Sequence, residues 1–148
     1  MATQLQLRKG TKIQNDAFTG AEGELTYVSD TKGLRLHDGS TQGGFEVPVL
    51  VAVQRPAAGN NYTWYRLYSD GWVEQGGHIP ADTDTAITIN LPVEMADTNY
   101  SWNVGVDLDR TTQPTWNNVS LFNRTTTTVD IMQDSIVVKS WEVKGMAA

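Results

Sequence analysis

The run Tyr65-Arg66-Leu67-Tyr68-Ser69-Asp70-Gly71-Trp72-Val73-Glu74-Gln75-Gly76-Gly77 constrains this chain most. An aromatic-rich strand is followed by Ser-Asp-Gly, then a second short strand with two glycines at its exit. Asp-Gly between alternating apolar residues is a strong hairpin signal, because the glycine supplies the positive φ that a tight turn needs. The rest of the chain keeps this style of short, punctuated strands. Leu5 and Leu7 alternate with polar neighbours as a half-buried strand that Gly10 and Thr11 break. Leu25 and Tyr27 share a strand face, Ser29 to Gly33 makes a loop, and Leu34 and Leu36 alternate with Arg35 and His37 on the return. Later strands are expected over 86–91, 100–106, 119–123, 127–131 and 136–144. Only Val93-Glu94-Met95-Ala96 offers a helical turn. The expectation is all-β: a small N-terminal module over 1–46, a linker or short shaft over 47–59, and a β-sandwich-like domain over 60–148. Pro48 blocks one ladder bond within the apolar stretch 47–53.

Composition narrows the function classes. Charged residues make up only 19% of the chain and net charge is −6. Nucleic-acid binding needs a basic stripe to neutralise phosphates, and the nearest approach is Arg8-Lys9 with Lys12. Anionic membranes are disfavoured on the same ground. The chain has no cysteine, so disulfides and thiolate metal sites are excluded. No apolar run reaches the roughly 20 residues of a membrane span. The first residues lack the pattern of a signal peptide, so synthesis in a cytoplasm is the expectation. The triplets at Asn61, Asn99, Asn118 and Asn123 follow from an Asn- and Thr-rich composition.

Catalytic candidates are few. His37 and His78 sit in turn-rich segments and read as surface turn residues. His37 and Asp38 are adjacent, so on a strand they face opposite sides and cannot form a relay. Asp82 with Asp84, and Asp107 with Asp109, could hold Ca²⁺ or act as an acid and a base; solvated loop carboxylates explain them more simply. No cofactor and no metal site is expected. Trp72, Trp102 and Trp141 lie in apolar strand patterns and read as core. Trp116 differs, because it sits in a long polar loop with Asp109, Arg110, Asn117 and Asn118. That set suits stacking on a sugar ring, and equally suits a contact between chains or a Trp folded back on its sheet.

Two family resemblances organise these readings. The hairpin motif Tyr65-Arg66, Ser69-Asp70-Gly71-Trp72 and Glu74-Gln75-Gly76-Gly77 resembles the C-terminal domain family found at the ends of phage tail fibres. The segments Leu5 to Thr11, with Gly10, then Ala21 to Tyr27, with Gly23, Leu25 and Tyr27, then Thr31 to Gly39, with Leu34, Leu36, Asp38 and Gly39, resemble the N-terminal domain of phage receptor-binding proteins of the major tropism determinant type. The second resemblance implies a β-prism-like module packed around a threefold axis. Together they imply a homotrimeric virion fibre or spike, assembled in the bacterial cytoplasm. Its N-terminal module would bind other virion proteins, and its tip would recognise a host cell-surface glycan through Trp116 and its neighbours. The alternatives are a capsid-decorating head fibre without dedicated receptor specificity and, from another class, a glycan-acting enzyme.

Overall fold

The computed structural model describes residues 6–79, 86–107, 118–134 and 137–148, whose regular structure is almost all strand, joined by turns and coil. The described elements run β1 (Arg8–Gly10), α1 (Lys12–Asp16), β2 (Leu25–Val28), β3 (Leu34–Leu36), β4 (Phe45–Val47), β5 (Leu50–Gln54), a 3₁₀ turn (Ala58–Asn60), β6 (Trp64–Tyr68), β7 (Trp72–His78), β8 (Ile87–Asn90), β9 (Ser101–Asp107), β10 (Asn118–Phe122), β11 (Thr128–Asp134) and β12 (Val137–Met146). The chain divides into two compact units, residues 1–51 with 68–70, and 52–67 with 71–148.

The first unit is a four-stranded sheet in the order β1-β2-β3-β4. β1 pairs parallel to β2, and the other two pairings are antiparallel. Helix α1 is the element that strand patterning misses. Its signal is local: Thr11 and Gln14 form a capping box, in which the Thr11 hydroxyl accepts from the Gln14 N–H and the Gln14 side chain accepts from the Thr11 N–H. Asp30 reinforces the start, because its carboxylate accepts the Lys12 N–H. Gly10 is the last residue of β1, and Thr11 caps the helix that follows, so the strand ends where expected.

The interior of this unit is polar. Thr26, Arg35, His37 and Asn15 are buried, with Val28 beside them. His37 overturns the surface-turn reading: it is 2% exposed. Its ring is clamped between glycines, since a Cβ on Gly20 would fall 2.6 Å from His37 Cγ and one on Gly44 2.8 Å from Nδ1. The Gly20 N–H donates to His37 Nδ1 at 3.2 Å, and Nε2 lies 3.0 Å from the Thr26 hydroxyl. That hydroxyl gives its single proton to Asn15 Oδ1 at 2.8 Å, so Nε2 must carry the imidazole proton and donate. Asn15 Nδ2 completes the chain on the Thr11 carbonyl. Arg35 donates to the Gly43 carbonyl and pairs with Asp16. Each of these groups would cost free energy if buried alone; linked, they make a small polar core in which only the Arg35 Nε, among these side chains, is buried without a partner.

The second unit is a sandwich. A three-stranded sheet, β10-β11-β8, lies on a five-stranded sheet, β5-β6-β7-β12-β9. Val73, Ile89, Met95, Tyr100, Val129, Ile131, Trp141 and Val143 form the core between them, and the Trp102 indole stacks on Trp141 with ring centroids 5.9 Å apart. β12 runs through the middle of the larger sheet, in register with β7 from Ser140↔His78 to Met146↔Trp72. Residues 93–96 form no helix; Met95 instead bridges to Ala147. Pro48 and Val49 part the apolar stretch into β4 and β5. His78 ends β7 and is exposed.

Candidate interaction surfaces

The hairpin motif proves to be fold machinery. Gly71 takes φ +87° at the turn, which L side chains rarely adopt. Gln75 is fully buried and uses its amide as a strand would: Nε2 donates to the Val93 carbonyl and Oε1 accepts the Val93 N–H, both at 2.9 Å. The Gly76 and Gly77 positions admit no side chain. A Cβ on Gly76 would meet the Trp141 carbonyl oxygen at 2.7 Å and Trp64 Nε1 at 2.8 Å; one on Gly77 would meet Trp141 Nε1 at 2.8 Å. Tyr65 is half-buried opposite Gln75, while Arg66 and Glu74 sit opposite each other with charged atoms 3.9 Å apart. Ser69 exchanges hydrogen bonds with Val49 through its N–H and its hydroxyl.

Trp72 departs from the expectation of a core residue. Register places it beside Met146 on the solvent face of the larger sheet, and it is 40% exposed. It lines an open cleft of about 330 Å³ with Asp97, Asn99, Ser101, Lys144 and Met146. Tyr100 backs this cleft; burial pushes its phenol up, against a smaller opposing pull from Arg124, whose guanidinium lies over the ring. A second open cleft, of about 310 Å³, lies beside Trp64, Asn103, Ser140 and Glu142.

The first unit presents a different surface. Register aligns Leu25, Leu36 and Phe45 in one row across β2, β3 and β4, and Tyr27, Leu34 and Val47 in the next. Leu25, Leu36, Phe45 and Val47 are each exposed, at 38–53%. Thus the apolar alternation read from the sequence faces outward, and the intervening Thr26 and Arg35 face the interior. The remaining motif residues shape loops. Gly23 and Gly39 take positive φ, and the Gly23 N–H donates to the His37 carbonyl. Asp38 accepts from the Ser40 and Thr41 N–H groups and the Thr41 hydroxyl, which together hold its carboxyl far below the usual range.

Of the proposed contact loop, Asp109, Arg110, Trp116 and Asn117 lie outside the described residues, and Asn118 is described only as backbone at the start of β10. Asp82, Asp84 and Asp109 likewise lie outside them, so neither carboxylate pair can be placed. Among the described residues, no three His, Asp or Glu side chains come together as a metal site.

The described surfaces are thus open, mixed clefts on the second unit and an outward apolar sheet face on the first. Residues 5–41 match the family described as the major tropism determinant N-terminal domain. Over 45 residues, 30% of this chain, the sequence is 47% identical to the tail fiber receptor-binding protein of Bordetella phage BPP-1. The chain spans only 12% of that relative's length. In solved structures, a C-terminal portion of a P. aeruginosa R2 pyocin fiber matches 70% of this chain at 19% identity and TM-score 0.46, over 27% of that fiber. An N-truncated R2-type pyocin tail fiber matches 66% at 19% identity and TM-score 0.44, over 39% of its length. These matches make the N-terminal segment similar to a phage tropism domain and to part of a tail fiber receptor-binding protein.

Proposed function

We propose that this protein is a structural fibre or spike component of a phage particle, acting as a homotrimer and not as an enzyme. Residues 1–46 attach it to other virion proteins, 47–59 serve as a short linker, and the domain over 60–148 recognises a host-surface glycan. The observation that carries this reading is the two-row apolar face of Leu25, Leu36 and Phe45 with Tyr27, Leu34 and Val47. A module that keeps its hydrogen-bonded polar groups inside and its leucines outside is stabilised when another surface covers those leucines. Three copies around an axis do so in a closed ring, with the same contact repeated. The match of residues 5–41 to a phage tropism domain supports the same placement. Multivalency then makes weak sites on the three tips effective together.

Light scattering on the purified chain tests this directly. The expected mass is about three times 16.3 kDa. The pair Leu36→Glu and Phe45→Glu should give monomers, since the closed ring would bury all the new carboxylates. A wild-type chain that stays monomeric at micromolar concentration overturns the proposal. Trp116→Ala, assayed by adsorption to host cells, tests the 109–118 loop as the receptor contact; unchanged adsorption rejects that assignment.

A further inference from the structure

Trp72 stands in the most recognisable motif of the chain, yet it contributes little to the core. Its neighbours explain where it points. β12 sets Met146 beside it, and Lys144 lies two positions back on the same strand face, opposite Ser101 of β9. Asp97 and Asn99, in the segment leading into β9, close the cleft. One side is therefore an indole and a thioether; the other is a carboxylate, an amide, a hydroxyl and an ammonium.

These groups can serve a ligand. Asp97 Oδ1 is taken by the Asn99 N–H at 2.7 Å, which fixes the carboxylate and leaves Oδ2 as an acceptor. Among the described residues, the Asn99 side-chain amide has no hydrogen-bond partner, so its donors and acceptor are available. Ser101 is held by the Lys144 carbonyl at 3.2 Å and can still accept. Lys144 Nζ lies 3.3 Å from Glu142 and 3.8 Å from Glu74, so its charge is already compensated. With Asp97 added, the cleft repels anions.

A ring with one C–H face and an edge of hydroxyls matches such a cleft: the apolar face stacks on the indole, and the hydroxyls meet paired donors and acceptors. We propose that the Trp72 cleft is a binding subsite for a neutral pyranose, with Trp72 as the stacking platform and Asp97 and Asn99 as the hydroxyl-binding groups. This rests on the glycan-recognition reading above and deepens it, adding to the 109–118 loop a subsite on the described sheet. It stands on the geometry of one unit and requires no contact between chains.

The test uses the full chain with ¹⁵N-labelled indoles, titrated with methyl α-glucopyranoside, methyl β-galactopyranoside and N-acetylglucosamine at millimolar concentrations. The chain has five tryptophans, and Trp72→Phe identifies the Trp72 resonance by its loss. At least one sugar should move that resonance and leave the Trp141 resonance in place. Asn99→Ala should weaken binding about tenfold, with the melting temperature unchanged. A Trp72 resonance unmoved by all three sugars, or Asn99→Ala binding as tightly as wild type, overturns the proposal. So does N-acetylneuraminic acid binding more tightly than the neutral sugars. Light scattering on the same samples separates the two readings: a trimer without sugar response sinks only the cleft, and a monomer with the Trp72 response sinks only the trimeric fibre.

Discussion

Replacing Gln75 by leucine separates the structural reading of the hairpin motif from any other. Gln75 has no solvent exposure and makes two hydrogen bonds of 2.9 Å to the backbone of Val93, with its amide also 3.1 Å from the Met95 sulfur. Leucine keeps most of the volume, so the packing term is small. What is lost is two hydrogen bonds of about 1 kcal/mol each. The Val93 N–H and carbonyl also lose their partners; Val93 is half-buried, so water recovers part of that penalty, and the added apolar burial offsets part of the rest. The net cost works out at about 2 kcal/mol. In a thermal melt, a unit of this size should then lose about 10 °C. Gln75→Glu sharpens the test, because its carboxylate would set an acceptor against the Val93 carbonyl. Burial favours the protonated form of such a carboxyl, so the variant should be worse than Gln75→Leu at neutral pH and recover relative to it as pH falls. A Gln75→Leu protein melting within about 2 °C of wild type would refute the argument, since the paired amide would then be contributing nothing measurable.

Other perturbations probe different parts of the molecule. Gly76→Ala should destabilise the second unit by several kcal/mol, because the new Cβ meets a backbone carbonyl that cannot move aside; urea midpoints read this. His37→Ala should speed amide exchange at Gly20 on the order of a hundredfold, because the N–H loses its Nδ1 acceptor and the ring leaves a hole. Acid should act first on the N-terminal unit. The Asp38 carboxyl is lowered chiefly by the Thr41 N–H, that of Asp30 by the Lys12 N–H and that of Asp16 by the Lys12 side chain. Lowered folded-state values mean stability that is present above the ordinary value of 3.8 and lost as pH falls through the folded values. Far-UV circular dichroism between neutral pH and pH 2 should show this loss, diminished in Asp38→Asn.

Strand identity was legible because period-2 alternation and Asp-Gly or Gly-Gly punctuation are local signals, and the pairing of Trp64 to Leu67 with Val73 to Gly76 needed nothing further. The helix at Lys12–Asp16 was missed because it is five residues long, too short for a hydrophobic period; its only mark is Thr11 with Gln14 three places on. His37 was misread because composition cannot show that Gly20 and Gly44, distant in sequence, leave a slot for a ring. Trp72 was misread for a related reason. Whether an aromatic on a strand faces core or solvent depends on register, and the register here is set by β12, which lies some seventy residues later in the chain.

The N-terminal unit shows most clearly what alternation does and does not contain. Leu25, Tyr27, Leu34 and Leu36 announce one apolar face and leave open which partner covers it. In an ordinary sandwich the same chain supplies the cover, as Val129 and Ile131 of β11 do for Val73 and Val143. The described part of the first unit offers no second sheet, and its helix packs where Thr26 and Arg35 point. Its interior is therefore satisfied by hydrogen bonds linking Asn15, Thr26, His37 and Gly20, which tolerate little volume and demand fixed geometry. The leucine face is then free to be an interface. Under the trimer proposed above, this division of labour would tie the polar core to assembly: removing His37 should loosen the sheet that presents Leu36 and Phe45, and so weaken association even though His37 lies beneath the proposed contact. Light scattering on His37→Ala across a dilution series should show dissociation at higher protein concentration than wild type; an unchanged dissociation profile would mean that the leucine face holds its shape without the buried network.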